Sequence, residues 1–359
     1  MSAAPLEPQR ALLADGRELV LYEDTPRPPR RVGDARTLPA RAAASEIRYD
    51  DVHDEYVIVA AHRQGRTHLP VSEDCPLCPT RPGHPTEIPT DDYGVAVFEN
   101  RFPALGPYDL AADSGDHPAG GRCEVVCFSS DHTKRLFEFD RIRLQTVGRV
   151  WADRVAELSA RGDVAYVFVF ENSGRDIGIT LEHPHGQIYG YPFVPPRVRQ
   201  ATETARRWRE RRGGCLFCHV VAAEVATGER VVHASERFVA FVPYAARWPY
   251  EVHVYPRRHV ADLTELTSVE RDEAMEIYAD VLRRFDQLFV EETAYIAAWH
   301  QAPVREDRDV AHLRLQVFTI RRAPGKLKYL AGSESALGAF VNDVVPEDAA
   351  ARLRAAGSE

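Results

Sequence analysis

Two Cys-x-x-Cys pairs, Cys75 with Cys78 and Cys215 with Cys218, and the run "EHPHGQ" from Glu182 to Gln187 are where residue type and spacing could do chemistry. A Cys-x-x-Cys turn hands two sulfurs to one ion, and Zn²⁺ favours four N or S donors in a tetrahedron. In a strand, His183, His185 and Gln187 share one face, because side chains alternate with a period of two. Three polar groups are then aimed at one place. An imidazole whose other nitrogen is held by a backbone carbonyl can attack phosphorus as a neutral nucleophile. A glutamine amide beside it can donate to a non-bridging phosphate oxygen and stabilise developing charge.

An internal repeat selects which histidines join the thiols. The first half reads CPLC, "CEVVCFSSDH", a helical pattern, "AYVFVFEN" and "EHPHGQ"; the second reads CLFC, "YEVHVYPRRH", a helical pattern, "AYIAAWHQ" and "AHLRLQ". A shift of 127 residues lays His132 on His259, and one of 129 lays Ala165-Tyr166 on Ala294-Tyr295, His183 on His312 and Gln187 on Gln316. Self-similarity at a fixed offset marks a duplicated unit. Each half therefore offers a Cys2His2 set: Cys75, Cys78, His132 and His183, then Cys215, Cys218, His259 and His312. Arg314 stands where the first half has His185, which leaves one free histidine in the duplicated pattern. Cys123 and Cys127, four apart in a β-patterned run, read as ordinary buried cysteines.

The elements that must position these residues follow from periodicity. Helices are expected at Asp140 to Arg161 and from about Ser268 to Glu291, each followed by a strand, "VAYVFVFEN" and "TAYIAAWHQ". The fold expected is α+β, a tandem duplication with antiparallel sheets and packed helices. Residues 1–45, rich in Pro, Arg and Ala with one strand-like piece, "RELVLYED", read as an extension that wraps the body or frays; 46–196 form the first half with the active strand, and 197–359 the second. The chain has 359 residues, a net charge of −9 and 44% hydrophobic residues, enough for a sizeable core. That charge argues against a duplex-binding surface. No run approaches the roughly 20 apolar residues that span a bilayer, and no secretory h-region is visible, so a cytoplasmic location is expected.

On "HPHGQ" and most of the chain from about Ile47 to Arg354, the sequence resembles the galactose-1-phosphate uridylyltransferase family of the histidine-triad superfamily. The resemblance implies a histidine-triad-like unit in each half, His185 as the nucleophile that carries a uridylyl group, and Gln187 and Thr180 on phosphate. "AHRQGR" implies Arg63 and Arg66 as phosphate contacts, "FENRFPAL" implies Asn100 beside the nucleotide, and the "FEN" ahead of the active strand adds Asn172. "KLKYLAGSE" is similar to the family's sugar-phosphate segment, with Lys328 on phosphate and Glu334 on hexose hydroxyls. Some members build the second metal site from histidines and a glutamate, with a His-x-His where this chain has His312-Leu-Arg314. Arg314 cannot ligate, so Cys2His2 is carried over, with His300 as the alternative to His312 or a substrate contact. The expected partners are a nucleotide sugar, a hexose 1-phosphate and a second copy in a homodimer. The expected cofactors are two structural Zn²⁺ ions, the second of which could be iron. Two rivals remain: the same chemistry on another nucleotide sugar such as ADP-glucose, and a non-catalytic zinc protein that binds nucleic acid.

Overall fold

The β-patterned runs of both halves join one sheet. The computed structural model describes residues 7–38, 45–65, 69–106 and 120–357. The first half comprises β1 (Gln9–Leu12), β2 (Glu18–Tyr22), the hairpin β3 (Glu46–Asp50) and β4 (Glu55–Val59), β5 (Val95–Glu99), β6 (Arg122–Cys127), α1 (Arg141–Ser159), β7 (Tyr166–Ser173) and β8 (His185–Tyr191). After α2 (Pro196–Arg212) and α3 (Leu216–Thr227) the second half comprises β9 (Val231–Ala234), β10 (Phe238–Phe241), β11 (Tyr250–Pro256), α4 (Ser268–Asp286), β12 (Tyr295–His300) and β13 (Arg314–Thr319). The short pair β14 (Arg321–Ala323) and β15 (Lys326–Leu327), α5 (Gly332–Leu337) and α6 (Pro346–Ala356) close the chain.

The eleven-stranded sheet has the order β1-β2-β5-β6-β8-β7-β12-β13-β11-β10-β9. Read outward from its centre, β7-β8-β6-β5-β2 mirrors β12-β13-β11-β10-β9, as a duplication requires. The register at the centre corrects the repeat offset in these two strands. Val167 and Val169 lie in the core under the helices together with Tyr295, Ala297 and Trp299. Only a shift of 128, which lays Val167 on Tyr295 and Phe170 on Ala298, keeps each residue on its face; the shift of 129 would turn every one over. Phe170 also pairs with Ala298 across the ladder, so a pseudo-twofold axis passes through that pair. The shift of 129 applies to β8 and β13, where Phe170 pairs with Gln187 and Ala298 with Gln316.

Helices α1, α4 and α6 lie against one face of the sheet, and α3 packs on the other, with Val221 against Val239, Phe241 and Tyr255. Asp140 caps α1 by accepting from the Arg143 amide at 2.9 Å, and Thr267 with Glu270 forms a capping box on α4. The second helix stops at Asp286, short of the expected Glu291. Glu291 and Glu292 would bring negative charge to a helix C-terminus that already carries a partial negative charge. Ile142, in the first turn of α1, is 51% exposed. Trp151 on α1 meets Trp299 of β12 and Tyr278 of α4, each with ring centroids 6.1 Å apart, which ties the halves together in the core.

Part of the N-terminal segment differs from its expected role as a wrapping or fraying extension. β2 pairs with β5 inside the main sheet, and Leu19, Val20, Leu21 and Tyr22 are buried. Burying four consecutive apolar side chains holds this segment as part of the core.

Glu171 lies buried between sheet and helix, its carboxylate accepting from Tyr278 and Tyr295 hydroxyls at 2.6 Å each. Burial pushes this carboxyl up to about 7, against the two donors that pull it down. The folded state then holds a proton over a range where an unfolded Glu has lost it, so stability falls as pH rises from the ordinary carboxyl range through about 7. Glu171→Gln removes this titration. The unfolding free energy of the wild type, measured against that variant in urea titrations, is expected to drop by about 2 to 3 kcal/mol between pH 5 and 8. A difference independent of pH would show that the carboxyl is ionised throughout.

Candidate active site

β8 begins at His185, and its pairing with β6 on one side and β7 on the other fixes where its side chains go. Gly186 faces the helices; a Cβ there would stand 2.8 Å from Phe128 Cζ, so the strand closes on its neighbours only with glycine. His185 and Gln187 therefore share the opposite face. His185 Nδ1 lies 2.7 Å from the His183 carbonyl, which can only accept, so Nδ1 carries the proton and Nε2 keeps its lone pair. Burial pushes the His185 imidazole below its ordinary pKa, which favours the neutral ring. Gln187 Oε1 accepts from the Tyr189 hydroxyl at 3.2 Å, which leaves the amide N–H groups to donate.

Two clefts meet at His185. One, of about 130 Å³, is lined by Arg63, Asn100, Thr180, His185 and Gln187, with Leu77, Phe98, Phe102 and Val125 as apolar walls. Asn100 Oδ1 accepts from the Phe102 amide at 2.8 Å, which fixes that side chain on the cleft wall. The other, of about 660 Å³ and more polar, is lined by Asn172, Arg175, Asp176, His185 and Arg321 among others. Lys328 and Glu334 line neither cleft; they are buried and paired with each other at 2.9 Å. Arg66 lies outside the described residues.

The thiols and histidines selected by the repeat come together in two groups. Donor atoms of Cys75, Cys78, His132 and His183 all lie within 4.8 Å of one another, as do those of Cys215, Cys218, His259 and His312. Donors about 2.0 to 2.3 Å from one ion stand roughly 3.3 to 3.8 Å apart in a tetrahedron. His183 Nδ1 is 3.2 Å from His132 Nδ1 and 3.5 Å from Cys78 Sγ, and Cys218 Sγ is 3.5 Å from His312 Nδ1, so both groups fit a metal ion. Burial pushes the thiols of Cys78 and Cys218 up to about 12 and 11 and the imidazoles of His183 and His312 down to about 4. The histidines are neutral and ready to ligate, while the thiols need a cation in place of their protons. His300 stands apart, its Nε2 2.9 Å from Gln316 Oε1, at the position that Asn172 holds in the first half.

Sequence reasoning missed three contributors. Tyr93 places its hydroxyl 2.9 Å from His183 Nε2, a nitrogen that also lies 2.7 Å from the Ser129 carbonyl, and no motif marks it. Glu87 joins the smaller cleft from a loop without periodicity. Tyr189, which orients Gln187, could have been found, since it follows His185 and Gln187 by the same period of two.

The comparisons with known proteins agree along the chain. Residues 36–195 match the family model described as galactose-1-phosphate uridyl transferase, N-terminal domain, and residues 201–358 that of its C-terminal domain. A galactose-1-phosphate uridylyltransferase of Streptomyces lividans is 41% identical over 95% of this chain and 96% of its own length. One from Thermotoga maritima is 37% identical over 86% of this chain and 98% of its own. A solved uridylyltransferase structure superposes with a TM-score of 0.76 at 34% identity, covering 87% of this chain and 98% of that one. An ADP-glucose phosphorylase from Arabidopsis thaliana, with a TM-score of 0.68 at 24% identity and covering 87% and 99%, shares the fold. The chain belongs to the galactose-1-phosphate uridylyltransferase family.

Proposed function

We propose that this chain transfers UMP from UDP-glucose to galactose 1-phosphate by a ping-pong route through a uridylyl-histidine. The observation that carries the reading is the shared imidazole: His185 borders both clefts, so one nucleophile can serve a nucleotide on one side and a sugar phosphate on the other. His185 Nε2 attacks the α-phosphorus of UDP-glucose, the bond to the bridging oxygen breaks, and glucose 1-phosphate leaves with that electron pair. The proton stays on Nδ1, and its hydrogen bond to the His183 carbonyl supports the positive charge that the ring acquires. Gln187 donates to a non-bridging oxygen as charge develops there, with Arg63 and Thr180 on the phosphates and Asn100 beside the nucleoside. A phosphate oxygen of galactose 1-phosphate then attacks the same phosphorus, and His185 is released. Splitting the transfer lets each step use one good nucleophile.

Asn172 reaches the sugar side of His185. Arg66 joins Arg63 on phosphate in this reading, and Lys328 and Glu334, which line neither cleft of their own chain, serve the site of a second copy in a homodimer. The halves 46–196 and 197–359 each hold one structural ion through Cys75, Cys78, His132 and His183 and through Cys215, Cys218, His259 and His312. Zinc suits both S2N2 donor sets, with iron as the alternative in the second. Four protein donors leave no open position, so the ions' part is to hold the loops and His183 in place. No helix among the described residues is long and apolar enough to cross a membrane, and we place the reaction in the cytoplasm.

His185→Ala is expected to abolish transfer and leave metal content unchanged, as read by elemental analysis; loss of an ion instead would make His185 a ligand. Gln187→Ala is expected to slow both half-reactions by one to three decades, corresponding to about 1.5 to 4 kcal/mol of lost stabilisation. Unchanged kcat would remove Gln187 from the mechanism. Elemental analysis is expected to give two ions per chain, and Cys215→Ser with Cys218→Ser to leave one, at a stability cost on the order of several kcal/mol with residual activity. The Cys75→Ser, Cys78→Ser pair frees His183 and is expected to cost more activity, since a displacement of about 1 Å can lower a rate a hundredfold. One ion in the wild type, retained by the Cys215/Cys218 variant, would rule out the second site.

A further inference from the structure

Glu87 is a buried carboxylate on the wall of the smaller cleft, across from groups that the reaction uses. Two arginines of the N-terminal segment hold it: Arg17 Nη2 donates to Oε2 at 2.5 Å, and Arg36 Nη1 lies 2.9 Å from Oε1. Arg17, itself 1% exposed, is fixed in turn by Asp15 and the Glu99 carbonyl, and Arg36 by Asp34. Arg101 approaches Oε1 at 3.6 Å. The Glu87 amide donates to the Pro76 carbonyl at 2.9 Å, which ties the residue to the turn between Cys75 and Cys78.

A carboxylate is a poor neighbour for a phosphate and a good one for hydroxyls, since it only accepts. Each of its oxygens has two acceptor positions, so an oxygen bonded to one arginine can still take a hydroxyl proton. Taking up that position costs little, because burial and the two guanidinium groups already hold the side chain. With the α-phosphorus at His185 and the base between Phe98, Phe102 and Leu77, the sugar that joins them passes along the wall that holds Glu87.

We propose that Glu87 accepts a ribose hydroxyl of the bound nucleotide, held in place by Arg17 and Arg36. The assignment rests on the uridylyl-transfer reading and adds to it a residue that selects ribonucleotides. It also gives the N-terminal segment a part in substrate choice.

The experiment follows uridylylation of the enzyme in single turnovers with UDP-glucose and with its 2′-deoxyribose and 3′-deoxyribose analogues. Wild type is expected to lose about 10- to 100-fold in kcat/KM on at least one analogue, the scale of a hydrogen bond to a charged group. Glu87→Gln is expected to lose a similar factor on UDP-glucose and nothing further on that same analogue. Glu87→Asp keeps the charge that Arg17 and Arg36 pair with but draws the oxygens back by one methylene, and is expected to behave like Glu87→Gln; it decides the matter should the glutamine variant fail to fold. Equal use of all three donors by wild type overturns the proposal. So does a variant that is slower overall yet still discriminates in full, which is the behaviour of a purely structural anchor. No uridylylation of wild type by UDP-glucose would overturn the underlying reading of the reaction, and the proposal with it.

Discussion

The pairing of β7 with β12 is the constraint on which the rest depends. This ladder joins six strands of the first half to five of the second in one sheet, and its register decides which residues face α1 and α4. A slip of β7 by one residue would carry Val167 and Val169 out of the core and send Phe168 and Phe170 toward it, and a slip of β12 would carry out Tyr295, Ala297 and Trp299. The cost would be that of several buried aromatic and aliphatic side chains at once, each about 1.5 to 3 kcal/mol. β8 lies against β7, so the same register sets the position of His185.

Around that strand the chemistry and the support share atoms. His183 gives its Nδ1 to the cysteine cluster, its Nε2 lies against Ser129 and Tyr93, and its carbonyl accepts a hydrogen bond from His185 Nδ1. One residue thus links the cluster to the tautomer of the proposed nucleophile. The second half keeps the cluster but holds Arg314 over the Phe217 ring where the first half has an imidazole. With the guanidinium there, the second copy has no counterpart to the imidazole of His185.

Much of this was legible in the sequence, for physical reasons that differ by residue. The cysteine pairs and their histidines stand out because metal donors are few in type and the repeat supplies a second reading of each. His185 and Gln187 follow from the two-residue period of a strand. The seam offset was misread by one because Ala165-Tyr166 and Ala294-Tyr295 match in type while facing opposite sides, and identity of letters carries no information about facing. The role of Arg17 and Arg36 was hidden because they find their partner, Glu87, 70 and 51 positions away through the fold alone. No local pattern records such a pairing. Lys328 and Glu334 illustrate a different limit: a motif names a residue but does not say where the chain carries it.

The axis through Phe170 and Ala298 has a consequence of another kind. In an isologous pair of subunits, a residue on the twofold axis meets its own copy. Here the two counterparts that meet belong to a single polypeptide, so the seam has the form of a homodimer interface made permanent by covalent linkage. A linked interface is intramolecular, and its effective concentration is set by the connecting chain instead of by the solution. Dilution cannot part the halves. Nor must the two copies remain identical, as they must when one gene supplies both, and the chain is free to keep a histidine on one side of its axis and an arginine on the other.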